Sequence, residues 1–181
     1  MLSKVLIEVG QLEHSFPSPI SINSYRNLKL TESPSSGFSG SQHSLTVGDS
    51  SMRIDGSRFL VSGGASGLGA AVARHIVAAS GQVVIADLNA EAGQALADEL
   101  GRNARFVATD VTSEAGTQAA ITQALEAFGS LQGLVQCAGI APGEKILGKE
   151  GVHRLDVFSK VVQVNLVGSF NLTRLAAQAM A

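Results

Sequence analysis

"VSGGASGLGAA", residues 61–71, is the stretch on which the reading of this sequence turns. Gly63, Gly67 and Gly69 stand in the spacing G-x-x-x-G-x-G. A short apolar run, "RFLVSG" (58–63), leads into them, and a helical pattern over 67–80 leads out. Glycines at a strand-to-helix turn allow a tight bend, let a pyrophosphate approach the backbone, and let helix pack on strand. The helix start then presents unpaired N–H groups and the positive end of its dipole to an anion. An ordinary βα turn shares this outline, so the neighbouring sequence must decide.

The next apolar run, "QVVIAD" (82–87), closes on Asp87, 87 − 63 = 24 residues after Gly63. A carboxylate there can accept hydrogen bonds from both hydroxyls of an adenosine ribose and would repel a 2′-phosphate, which favours NAD over NADP. Taken alone, Asp87 also reads as an N-cap for the following helix. Other nucleotide and hydrolase readings fail. No Lys-Ser/Thr follows the glycines, so the loop is not a Walker A motif. Leu68 stands where a nucleophile elbow around Ser66 would need its second glycine. The four histidines, His14, His43, His75 and His153, are scattered, and no paired cysteines suggest a metal site.

Strand and helix signals alternate onward from Met52. Helix 67–80 places Ala71, Val72, His75, Ile76 and Ala79 near one face. A helix follows over 90–101, with Gly101 at its end, then a strand over 104–110. Residues 113–129 read as a helix opened by Ser113 and closed by Gly129, and 131–139 as a fourth strand. A loop with Gly143, Gly148 and Gly151 leads to one long helix over about 155–180. Strands that are apolar throughout are buried on both faces. Joined by helices in right-handed crossovers, they predict an α/β fold: an incomplete doubly wound parallel sheet of about four strands in the order 3-2-1-4.

Residues 1–51 differ in character from 52–181. They hold three of the four prolines, and "TESPSSGFSGSQHS" has no hydrophobic period, so they read as a disordered or unrelated extension, with Met52 as a natural start for the folded part. "MLSKVLIEVG" suits a short strand or helix. Glu8, Glu13 and Glu32 argue against a transit peptide. With 181 residues, 45% of them hydrophobic, the chain has enough apolar material for one domain. A net charge of −2 gives no attraction for nucleic acid or an anionic membrane, and no apolar run is long enough to span a bilayer. The single cysteine suits a reducing, cytoplasmic setting.

Four motifs in order carry a family resemblance over roughly residues 54–181. "SGGASGLG" resembles the T-G-x-x-x-G-x-G of the short-chain dehydrogenase/reductase family, with Ser62 keeping the hydroxyl of the usual Thr. Asp110-Val111 resembles the pair that contacts adenine, "QCAG" (136–139) the N-N-A-G or N-C-A-G motif under the cofactor, and "VNLVGSFN" (164–171) the segment carrying the active-site Asn. Gln136 departs from the usual Asn. The details are similar to type-2 3-hydroxyacyl-CoA dehydrogenases. The resemblance implies a Rossmann-type sheet and NAD-dependent oxidation of a secondary alcohol. It places Ser62, Gly63, Ser66, Gly67, Leu68 and Gly69 at the cofactor, together with Asp87, Asp110, Val111, Cys137, Ala138 and Gly139. It gives Asn165 a place in a proton relay and makes the long helix a surface for pairing with a second copy.

Asn165 falls near the helical face of Phe158, Val161, Val162, Ser169 and Leu172, which predicts a buried amide in need of partners. The family's catalytic Ser and its Tyr-x-x-x-Lys do not follow Asn165 in this sequence. Tyr25 and Lys29 have the spacing but precede the first strand, so they are not read as that pair. The expectation is therefore an inactive cofactor-binding half with its fourth strand left as an open edge. The alternative is a non-catalytic dinucleotide-binding or interaction module.

Overall fold

The computed structural model describes residues 6–8, 52–149 and 151–181. Tyr25, Lys29 and the Ser- and Pro-rich stretch lie outside the described residues. Parallel strands β1 (Leu6–Glu8), β2 (Arg58–Ser62), β3 (Gln82–Asp87), β4 (Ala104–Ala108) and β5 (Gly133–Gln136) form one sheet in the order β1-β5-β2-β3-β4. Its last four members are the expected strands in the expected order. β1 is an addition. It pairs in parallel with β5, Leu6 beside Leu134 and Glu8 beside Gln136. The edge expected to be open on β5 is thus covered by backbone from the amino-terminal segment.

Side-chain alternation explains the two layers. Leu60, Val84 and Leu134 point to one face of the sheet, where they meet Ile121, Leu172 and Leu175. Phe59, Val61, Val83, Ile85 and Val135 point to the other, where they meet Ala73, Ile76 and Leu96. Leu60, Val61, Val83, Val84 and Ile85 have no exposed surface. Burial of each such side chain stabilises the fold by roughly 1.5–3 kcal/mol.

The helices are α1 (Gly67–Ala78), α2 (Ala90–Leu100), α3 (Glu114–Phe128), α4 (Leu155–Val162) and α5 (Ser169–Met180). α2 and α3 follow their sequence signals. Asn89 caps α2 by accepting from Ala92 N at 3.0 Å, and Ser113 caps α3 by accepting from Gly116 N at 3.2 Å. Gly101 and Gly129 end them at φ 69° and 81°. The inward face of α1 was misjudged: Ala71 and His75 are exposed, whereas Gly69, Ala70, Ala73 and Ile76 are buried. An alanine-rich helix offers little contrast between its faces, and its smallest residues are the ones that let it sit close to the sheet. The loop after β5 contains a small antiparallel pair, β6 (Leu147–Gly148) and β7 (Gly151–Val152).

The expected long helix is continuous but not uniform. Between α4 and α5, residues Gln163–Gly168 form a π-helical turn. This wider turn shifts the phase of the helix, and it contains Asn165.

Candidate functional site

A cleft of about 280 Å³ runs along the C-terminal ends of the strands. β2 ends at its middle, where the glycine turn crosses into α1. Gly63 adopts φ 63°, and a Cβ there would lie 2.6 Å from Ala138 N. A Cβ on Gly69 would collide with the carbonyl oxygen of Gly63. The turn therefore works only without side chains at these two positions. Ser66 precedes α1, and its hydroxyl makes no cap hydrogen bond. The first N–H groups of α1 stay open to the cleft.

Asp87 forms the rim at the end of β3. Its Oδ2 accepts from Ala65 N at 3.0 Å and its Oδ1 from Asn89 N at 2.9 Å. These bonds tie the glycine turn to the β3 end and fix the carboxylate. A carboxylate has about four acceptor sites, so each oxygen keeps capacity for a ligand hydroxyl. Asn89, not Asp87, caps α2, which removes the capping alternative.

Thr109, Asp110 and Val111 follow the end of β4. Asp110 Oδ1 accepts from Thr112 N at 2.9 Å and from Thr112 Oγ1 at 2.7 Å, a local turn that shapes this wall. Cys137, Ala138 and Gly139 follow the end of β5 on the opposite side. Burial pushes the Cys137 thiol up from its ordinary range. Gly63, Ser66, Gly67, Leu68, Gly69, Asp87, Asp110, Val111, Cys137, Ala138 and Gly139 all line the one cleft. Ser62 does not; it is buried beneath, with Oγ accepting from Ala138 N at 3.4 Å.

Asn165 is exposed, contrary to the buried position expected of it. Its Oδ1 accepts from Ile140 N and its Nδ2 donates to Ile140 O, both at 2.9 Å. It grips the chain just past β5. Stepping 3.6 residues per turn through a π-helical segment put its side chain on the wrong face. The sequence reading also missed Ala86, Leu88, Thr109, Ile140 and Val164 in the lining. Leu88 and Thr109 directly follow strand ends and were within reach of the same logic. Ile140 is held by the Asn165 contact. Among the described residues, no group of three or more His, Cys, Asp or Glu side chains is placed to hold a metal ion.

The model of the family described as "short chain dehydrogenase" matches residues 58–181. The chain belongs to the short-chain dehydrogenase family. It is 45% identical over 123 residues to the 3-hydroxyacyl-CoA dehydrogenase type-2 of Bos taurus, covering 67% of this chain and 47% of that one. The enzyme of the same name from Drosophila melanogaster is 44% identical over 123 residues, covering 67% and 48%. Momilactone A synthase of Oryza sativa subsp. japonica is 38% identical over 143 residues, covering 78% and 50%. The chain spans about half the length of the curated relatives it matches. A nicotinamide dinucleotide is the typical cofactor of this family, and the bare glycine turn and open helix start fit its pyrophosphate. Among the described residues, no helix is long and apolar enough to cross a membrane.

Proposed function

We propose that this chain is the NAD-binding half of a dehydrogenase acting on secondary alcohols, with a 3-hydroxyacyl-CoA as the substrate class. The observation that carries NAD is the Asp87 carboxylate, fixed by two backbone N–H groups on the rim of the glycine cleft. The substrate class rests on the names of the cattle and fly relatives.

When bound, the nicotinamide supplies hydride acceptance. The chain's own residues bind and orient. The open N–H groups at the start of α1 receive the pyrophosphate. Asp87 takes the adenosine ribose hydroxyls and repels a 2′-phosphate. The wall around Asp110 and Val111 receives adenine, and the stretch from Cys137 to Gly139 supports the opposite end. Asn165 holds Ile140 in place, and its amide keeps one N–H and one lone pair free, enough to hold a relay water. The single cysteine supports a cytoplasmic setting. Leu155, Phe158, Leu166 and Phe170, exposed on the α4 to α5 run, support pairing with a second copy.

Fluorescence titration with NADH and NADPH tests the reading. NADH is expected to bind at least about tenfold more tightly, and Asp87→Asn, which keeps the shape and removes the charge, to narrow that gap. Equal binding of the two dinucleotides by the unaltered chain would overturn the NAD preference.

A further inference from the structure

Asn171 is 7% exposed and sits one turn past the π-helical segment, outside the cleft lining. Its Nδ2 donates to Val111 O at 3.0 Å and to Thr117 Oγ1 at 3.0 Å, while its Oδ1 accepts from Arg174 Nη2 at 2.9 Å. Arg174 in turn bridges to Glu114 Oε1 in the first turn of α3 at 2.9 Å. Thr117 Oγ1 also lies 3.4 Å from Val111 O, but its one proton has the nearer acceptor Ser113 O at 2.9 Å, which leaves Asn171 as the close donor to Val111 O. All of this converges on the backbone of one cleft residue. Backbone at a strand end has no ladder partner, and a buried carbonyl there needs a donor. Asn171 supplies it from across the core, 60 residues away in sequence.

We infer that Asn171 is a positioning residue for the adenosine end of the cleft. It fixes Asp110-Val111 from behind while Asn165 fixes Ile140 at the other end. This rests on the dinucleotide reading above. The sheet order places the two ends: β4 leads to Val111 on one side of the glycine turn, and β5 leads to Ile140 on the other. One helical run thus holds both walls, six residues apart (171 − 165) across the π-helical turn. Gly168 packs between them, and a Cβ there would lie 2.7 Å from Val111 Cγ2.

Two measurements on the full chain separate this from general stabilisation. ADP, which carries only the adenosine diphosphate, and NADH are titrated by calorimetry. Asn171→Leu, similar in size but without the amide, is expected to weaken both by the same factor, on the order of fivefold to tenfold. Asn165→Ala is expected to weaken NADH and leave ADP unchanged. Hydrogen exchange read by mass spectrometry gives the second, ligand-free measurement. Asn171→Leu should speed exchange over 109–112 and spare 139–141, and Asn165→Ala should do the reverse. If Asn171→Leu does not fold, Asn171→Asp keeps the shape and the Arg174 bond while removing the donor. Unchanged ADP affinity in a folded Asn171 variant, or exchange raised equally at both walls, would overturn the inference. A wild-type chain that binds neither ADP nor NADH removes the dinucleotide reading instead, and the exchange pattern then decides whether Asn171 holds the loop.

Discussion

Gly69 is the tightest point of the cleft, because its α-carbon faces the carbonyl oxygen of Gly63 with no room for a methyl group. Gly69→Ala must push α1 away from the turn. It is expected to destabilise the fold by about 1–3 kcal/mol and to abolish NADH binding, read by thermal melting and fluorescence titration. A variant that melts and binds like the parent would show the turn to be pliable. Cys137 gives a second residue-scale test. Its thiol titrates above the ordinary range, so at pH 7 very little is thiolate, and iodoacetamide should label it slowly. Labelling should accelerate as pH rises beyond the usual thiol range, and NADH should slow it. Fast labelling at neutral pH would place the thiol in a different environment. At this scale the sequence was most legible where a residue has one job. Gly63, Gly69 and Asp87 could be located from their spacing together with the strand and helix patterns around them. Asn171 could not, because its partners lie on a distant loop and an Asn in a helix carries no mark of what it bonds.

Helix ends were easy to read because capping is local chemistry. Ser113 accepts from Gly116 N, and Gly129 takes the left-handed conformation that a helix C-terminus favours. Ser113→Ala should cost about 1 kcal/mol, measured by urea denaturation, since the first turn of α3 then loses its side-chain acceptor. No change would mean that water serves the N–H equally well. The strands were legible for a different reason: short unbroken apolar runs such as "VVIA", bounded by Gly81 and Asp87, suit a sheet buried on both faces. The α4 to α5 run was legible in extent and misread in phase. A stripe drawn from Phe158 through Val162 to Leu172 assumes 3.6 residues per turn throughout. The π-helical turn breaks that count, leaving Phe158 56% exposed while Leu172 is fully buried. Widened turns of this kind tend to mark functional sites, and no residue in "QVNLVG" announces one.

For the molecule as a whole, the sheet could be ordered from its crossovers but not completed. The pairing of Leu6–Glu8 with β5 links segments whose patterns say nothing about each other. Three residues are too few to show a period. Removing residues 1–8 should uncover the β5 edge, speed amide exchange in Gly133–Gln136, and raise concentration-dependent association in sedimentation velocity. Unchanged exchange in β5 would show that β1 protects nothing.

The same pairing bears on the order in which the structure is assembled. Leu6 and Leu134 are 134 − 6 = 128 positions apart, while Leu60 and Val84 are only 84 − 60 = 24 apart. Contacts of high sequence separation are entropically slow to close, so β2, β3 and β4 can associate well before β1 arrives. During refolding, β5 therefore spends an interval with one side unpaired. The three-residue strand at the amino terminus acts as the final latch, and crowded refolding mixtures are most exposed to mispairing before it closes.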